Sequence, residues 1–549
     1  MLAKYELTTR AVDSHWALRA ARVGAAPFAA LTLVLWVDGP RFALSAPSLI
    51  DDWFGITYGR KAFASLVHAL SPSVDYAGRF RPAYTAVWDY AQWHLLGHPS
   101  MAAAAPFGFL RIVGFFAAIF ILAVWVSGES FRTARPVLWL APFAVALTPK
   151  IAVDVARYGP AEPLMVTGLI LGLALIVVGA QRLARSTSKK QLAFGALLLL
   201  AGYAVYLFGV YIKEASVCLA VFVPFFVRWL FEERLATVAP ATRRRAAALL
   251  GLVLSAPLIH VAVEVMIGVA AGNRPYPTPP LSLWTKIFAT GLTPLLGQPG
   301  VLGTFFWFFA VPATLVAAVS RVRRRVPGAW RTVALLVTGW SMSAFELAQG
   351  ETHSRYYVAW LVAVAAVGAR VLSGTHHRIR LCAAVATVAL LPLPAHNAIA
   401  AWVRSEQSGT AAVNLSASVL NANCRLFLAG FDVERRVAIP RLLTFANARP
   451  LPTCRAASPV AYALTWVGSG IPPLLARDCR THWQLVTSTR HVNLYRCGTL
   501  APTRVPDQDA ASGRPEVKVV ELRQPRTQPP PSMLFQANGA RGNALGRSR

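Results

Sequence analysis

The sequence predicts an all-α polytopic membrane protein that carries a small C-terminal α/β or β-rich domain after its last span. Three observations lead there. Hydrophobic residues make up 55% of the chain and charged residues only 14%, against about 25% charged in an ordinary soluble domain. Continuous apolar runs, such as residues 164–180, 192–210 and 358–371, are too numerous for one globular core and lack the alternation of a membrane β-strand. Arginine and lysine gather in short segments between those runs, as topology determinants do. Lipid offers open backbone no hydrogen-bond partner, so the spans must be helices.

About eleven spans follow from the apolar runs. They fall roughly at 20–38, 106–127, 135–149, 162–181, 191–211, 214–231, 246–270, 301–320, 331–348, 355–373 and 380–402. Lys4, Arg10, Arg19 and Arg22 precede the first run, and Ala43-Leu44-Ser45-Ala46 follows it. A cleavable signal of that length is unusual, so the first helix is read as uncleaved. With the N-terminus cytoplasmic, every dense basic cluster falls on the cytoplasmic side: Arg132/Arg135, Arg182/Arg185/Lys189/Lys190, Arg234/Arg243/Arg244/Arg245, Arg321 to Arg331 and His376 to Arg380. A wrong span count would have scattered them. The net charge of +30 is therefore divided among loops rather than gathered on one face, which argues against a nucleic-acid partner. The Ala, Arg and Gly content points to a bacterium, and the expected location is its inner membrane.

An odd number of spans places the chain after about residue 403 outside. There, segments 425–431 and 491–497 read as strands, and residues 403–500 read as one extracytoplasmic domain. Residues 501–549, rich in Pro, Arg, Gln, Gly and Ser, read as a disordered basic tail. Cys424, Cys454, Cys479 and Cys497 all lie in this region. Four cysteines in an oxidising compartment predict two disulfides, with three pairings open; a zinc site is the rival, although no CxxC spacing is present. Cys218 and Cys382 fall in apolar spans and read as core thiols.

The outer connections carry the chemistry. The first, residues 39–105, is long and contains two amphipathic patterns (Phe63, Leu66, Val67, Leu70; then Tyr84, Val87, Trp88, Ala91, Leu95). These suit helices lying in the interface. It opens with Asp51-Asp52 directly after the first span and continues to Arg79 and Arg81, the latter followed by Pro82. The second outer connection holds Asp154, Arg157 and Glu162. A tight turn holds Lys213-Glu214, and a late turn holds Glu351, His353, Arg355 and Tyr356. Charges so close to apolar spans are costly and face a cavity or each other. Glu264, inside a predicted span, either faces a cavity or marks the outer end of its helix, and the second reading is preferred. Guanidinium and ammonium groups suit an anionic phosphate. A carboxylate within reach of an acceptor hydroxyl suits general-base work.

In order and sidedness these motifs resemble the GT-C superfamily of membrane glycosyltransferases, in particular the branch of protein O-mannosyltransferases and lipid A aminoarabinose transferases. The likeness covers residues 20–400. It rests on Asp51-Asp52 after the first span, Arg81-Pro82 followed by Tyr84 or Trp88, Asp154 in the next outer connection, Lys213-Glu214, and Arg355-Tyr356. One departure stands out. The element here reads Arg-Phe-Arg-Pro, with no acid directly before Arg81, where the aminoarabinose enzymes have a Glu-Lys-Pro-Pro type sequence.

The resemblance implies sugar transfer from a polyprenyl-phosphate donor to a lipid, glycan or protein acceptor on the extracytoplasmic face, with inversion. It implies Asp51 or Asp52 as general base, the other holding a sugar hydroxyl or a divalent cation. It implies Arg79, Arg81, Lys213 and Arg355 on the donor phosphate, with Asp154 and Glu162 as substrate contacts or supports. No cofactor is fixed by it, although paired acids suit a hard cation. His353 reads either as a proton shuttle or as a surface turn residue. The runner-up reading is a transporter, flippase or polymerase of lipid-linked glycans. A transporter would place charges near the midplane and show an internal repeat, and neither pattern is present.

Overall fold

The computed structural model describes residues 32–33, 35–37, 39, 81–84, 101–129, 134–157, 161–185, 188–231, 235, 240–270, 301–326, 328–347, 354–419, 425–429, 461–466, 479, 482–488, 492–497 and 517–521. Asp51, Asp52, Arg79, Glu351, His353, Cys424 and Cys454 lie outside them, as does most of the expected first span. Two compact units divide the chain, the described helices up to Val403 forming one and the chain from Arg404 the other.

The first unit is helical. Its elements are α1 (Met101–Ser127), a 3-10 turn (Pro136–Trp139) leading into α2 (Leu140–Ala146), α3 (Pro149–Ala156), α4 (Ala161–Arg185) and α5 (Lys189–Val210). A 3-10 segment (Glu214–Val221), α6 (Val223–Trp229), α7 (Pro240–Leu254) and α8 (Ala256–Ala270) follow. Then come α9 (Val301–Arg323), α10 (Ala329–Leu347), a 3-10 turn (Ser354–Tyr357), α11 (Val358–Ser373), α12 (His377–Leu390) and α13 (Pro392–Val419). Among the described residues six helices are long and apolar enough to cross a membrane, or seven if a bent pair counts as one span. The protein is thus a polytopic helical membrane protein.

Three expected spans differ in form, residues 246–270 being broken at Ser255 into α7 and α8. Residues 135–149 are not one straight helix: the chain bends by 81° between Pro136–Ala146 and Pro149–Val155. Thr148 is extended there (φ −67°, ψ 122°), as the residue before a proline tends to be. Its hydroxyl donates to the Ala144 carbonyl at 2.7 Å and accepts from Trp307 Nε1 at 2.7 Å, which ties the bend to α9. Residues 214–231 form the 3-10 segment and then α6, which at 7 residues is far too short to span.

Packing follows membrane rules. Nearly every side of α11 is buried, which makes it the central helix. Close approach of α4 and α5 depends on glycine. A Cβ at Gly172 would lie 2.5 Å from the Tyr206 nitrogen, and one at Gly209 would lie 2.5 Å from the Leu169 nitrogen. Small residues let backbones meet where lipid supplies no hydrophobic drive. The outer faces expose Leu197 and Leu200 on α5, Val316 and Val319 on α9, and Val385 and Val388 on α12, the surface lipid would cover. Cys382 is exposed on that same α12 face, which corrects the core reading; Cys218 is half-buried.

The second unit contains a five-stranded mixed sheet of order β3-β4-β2-β1-β5. Its strands are β1 (Arg425–Ala429), β2 (Ala461–Trp466), β3 (Gln484–Ser488), β4 (Val492–Cys497) and β5 (Val517–Glu521). β1 and β2 run parallel with Leu426 opposite Tyr462; the other pairs are antiparallel. Val492 and Leu494 are buried while Asn493 and Tyr495 are half-buried, the period-two pattern of a strand with one face inward. Cys479 is bonded to Cys497, one of the pairings left open by the sequence. The segment expected to be a disordered tail contributes β5, which pairs Val520 with Leu426. Helix α13 also runs on to Val419, beyond the point where the composition shifts.

Candidate active site at one end of the helix bundle

Helix termini alternate between two ends of the bundle. Glu162 opens α4, Lys213 and Glu214 follow α5, Glu346 lies one residue from the end of α10, and Arg355 and Tyr356 precede α11. All of these termini belong to one end, and Arg81 joins them there through Glu214. Arg182 and Arg185, the Arg321–Arg325 stretch, and Arg370 belong to the other.

Two buried ion-pair groups form the site. In the first, Arg81 Nε donates to Glu214 Oε1 at 2.6 Å and Nη2 donates to Oε2 at 2.8 Å. Arg81 is 9% exposed and Glu214 0%. This is the two-pronged guanidinium–carboxylate geometry, joined across 133 residues of sequence. In the second group, Lys213 Nζ contacts Glu162 Oε1 and lies 2.6 Å from Glu346 Oε2. It also sits 4.4 Å from the Tyr356 ring centroid, a cation–π arrangement. Arg355 reaches Glu162 at 3.8 Å and lies 5.3 Å from the same ring. Its side chain is 21% exposed, so the cluster opens on the Arg355 side.

Burying six ionisable groups is expensive. Each ion costs several kcal/mol to desolvate, roughly, and attraction offsets this only with good pairing. Three carboxylate oxygens in the cluster, Glu162 Oε2 and both of Glu346, are buried with no hydrogen-bond partner, although Glu346 Oε2 lies in the ion pair with Lys213. Such orphaned acceptors mark an arrangement kept for more than stability.

Asp154 and Arg157 form a neighbouring pair, 3.9 Å apart, on α3, which packs against the Ser354–Tyr357 turn. Arg111 donates to the Asp154 carbonyl at 3.0 Å. Of the residues singled out in the sequence, the structure brings together Arg81, Glu162, Lys213, Glu214, Arg355 and Tyr356, with Asp154 and Arg157 beside them. Glu346 was missed, although an acid inside an apolar run is itself a signal. Arg111 was missed for the same reason. Glu264 is not a helix-end residue: it is 1% exposed, 4.0 Å from the fully buried His260, whose ring lies 4.9 Å from that of Tyr211. Among the described residues no three His, Cys, Asp or Glu side chains converge in a group that could hold a metal ion; the Asp51-Asp52 pair lies outside them.

No protein-family profile matches the sequence, and no curated protein does. Solved structures do. The chain is similar to ArnT from Cupriavidus metallidurans in the apo state, at 13% identity and a TM-score of 0.45 over 87% of this chain and 98% of that one. The same protein bound to undecaprenyl phosphate gives 12% identity and 0.44 over 88% and 98%. The oligosaccharyltransferase AglB from Archaeoglobus fulgidus, in complex with an inhibitory peptide and a dolichol-phosphate, gives 13% identity and 0.38 over 70% and 57%.

Proposed function

We propose that the chain is a membrane glycosyltransferase that moves a sugar from a polyprenyl-phosphate-linked donor to a lipid, glycan or protein acceptor. The carrying observation is the buried cluster of Lys213, Arg355 and Tyr356 with Glu162 and Glu346, seated at one end of apolar helices and open on its Arg355 side. A phosphate with an apolar tail suits that place: the tail lies along the lipid-facing helices while the headgroup meets Lys213 and Arg355. The order of motifs along the chain supports the same reading. The end bearing the cluster is the extracytoplasmic face, because the basic clusters occupy the other end. The N-terminus is then cytoplasmic and the C-terminal domain extracytoplasmic, in a bacterial inner membrane.

The reaction is a single displacement. The acceptor oxygen attacks the anomeric carbon as its bond to the phosphate oxygen breaks, and the centre inverts. The acceptor proton passes to Asp51 or Asp52, and polyprenyl phosphate departs as the anion. Lys213 and Arg355 stabilise the charge that grows on the leaving phosphate, in a site where water is scarce and such contacts are strong. Arg81, clasped by Glu214, and Arg79 line the phosphate side. Asp154 with Arg157, and Glu351 with His353, flank the substrate. If a divalent cation takes part, Asp51 and Asp52 are its ligands.

The test is transfer of radiolabelled sugar from a polyprenyl-phosphate donor pool in membranes, at matched expression. Asp51→Asn or Asp52→Asn abolishes transfer while donor binding persists, and Lys213→Ala abolishes both. Unchanged transfer in all three variants rejects the assignment.

A further inference from the structure

We infer that Glu346 is a displaceable counter-ion: the donor phosphate takes Lys213 from it, and Glu346 takes up a proton in exchange. This rests on the functional reading above and names a residue and a proton that the reading does not contain.

The geometry separates Glu346 from its neighbours. Lys213 is held by carboxylates from two helices, Glu162 on α4 and Glu346 on α10. Glu162 has a second cation, Arg355 at 3.8 Å; among the described residues Glu346 pairs with Lys213 alone. Glu346 is 2% exposed, and its Oε1 has no hydrogen-bond partner. The charged and titratable groups that act on it come from three elements. Lys213, Glu214 and Cys218 face it from the turn after α5 and the 3-10 segment that follows, and Glu162 faces it from α4. Tyr356, from the Ser354–Tyr357 turn, stacks on Lys213.

Charge balance supplies the rest. Lys213, Arg81 and Arg355 are matched by Glu162, Glu214 and Glu346, so within this six-membered cluster an added phosphate brings negative charge that no spare cation of the cluster offsets. A buried surplus anion is costly and is relieved by neutralisation. Of the three carboxylates, Glu214 is held twice by Arg81 and Glu162 keeps Arg355. Glu346 is the one left without a cation once Lys213 turns to a phosphate oxygen. A proton from water, entering on the open Arg355 side, neutralises it. The resulting O–H becomes a hydrogen-bond donor. No covalent bond changes in this exchange; an ion pair opens, a phosphate oxygen accepts from Lys213, and one proton moves from solvent to Glu346.

The experiment is calorimetric titration of the purified full-length protein in micelles with undecaprenyl phosphate, in two buffers of equal neutral pH and different ionisation enthalpy. Wild type takes up a proton on binding, up to about one per lipid. Glu346→Gln, already neutral, binds about tenfold more tightly and takes up none. Glu346→Asp, which keeps the carboxylate, still takes up the proton and keeps the test decisive if the glutamine variant does not fold. Uptake in Glu346→Gln equal to wild type, or weaker binding by that variant, overturns the inference while leaving the donor reading intact. Proton uptake with inorganic phosphate but no binding of the lipid upholds the displacement of Glu346 and rejects the lipid donor. No binding of either by folded wild type rejects both.

Discussion

The two ends of the helix bundle treat cations in opposite ways. At the Lys213 end, Arg81, Lys213 and Arg355 each meet a carboxylate brought from a distant part of the chain. At the other end, arginines meet backbone. Arg370 donates to the Val126 carbonyl and to that of Gly328 at 3.3 Å, and Arg135 donates to the Ser373 carbonyl; the one carboxylate paired there among these contacts, Glu129 at 3.5 Å from Arg135, is local and meets an exposed side chain. Val126 and Ser373 end α1 and α11, where unpaired carbonyls carry partial negative charge. Gly128, at φ +75°, closes α1 in the left-handed conformation that glycine adopts without strain. Arginine on a helix end satisfies groups the fold creates anyway. Matched buried acids and bases are costly to keep, so the first end reads as a site and the second as a set of caps.

The largest test of that contrast acts on the frame of the first end. Gly172→Leu places a side chain where even a Cβ would lie 2.5 Å from the Tyr206 backbone. It should separate α4 from α5, and with them Glu162 from Lys213, and the protein should be lost from the membrane in a folding assay. Next, Glu214→Ala leaves Arg81 buried without its carboxylate, at a cost of about 3–5 kcal/mol. Reversible unfolding in mixed micelles measures it, and the Arg81→Ala/Glu214→Ala double variant should recover part of the loss. Cys479→Ser, remote in sequence from both ends, removes a disulfide across 18 residues of sequence and should cost about 3 kcal/mol. Limited proteolysis should show the sheet cut while the spans stay intact. Smallest is Arg370→Ala, where a capping contact worth about 1–2 kcal/mol disappears. Sugar transfer should persist in that variant; a loss as complete as that of Lys213→Ala would erase the distinction between the ends.

Much of the candidate site is legible residue by residue. Lys213-Glu214 stands out because a charged pair interrupts an apolar stretch, and Arg355-Tyr356 because it sits where a span begins. Counting spans against basic clusters leads to the expectation that they share a side, and the helix ends bring them together. What cannot be read is who touches whom. Arg81 and Glu214 share no local pattern across their 133-residue separation, and Glu346, an acid in the apolar run Ala344-Phe345-Glu346-Leu347, carries no local sign of its partner. The bend at Thr148 was hidden by composition, since both of its arms are apolar; Pro149 was the clue that local chemistry offered.

That this is a helical membrane protein with a strand-bearing C-terminal region is written in the chain segment by segment. Those properties depend on transfer energies and periodicities that act on each segment alone. Tertiary structure alone decided that Lys213 lies between Glu162 and Glu346, that Arg81 clasps Glu214, and which cysteine Cys497 takes as its partner. Such pairings depend on how helix ends and strands meet in space. A chain specifies that through the summed packing of side chains and glycine contacts, and through no single stretch of it.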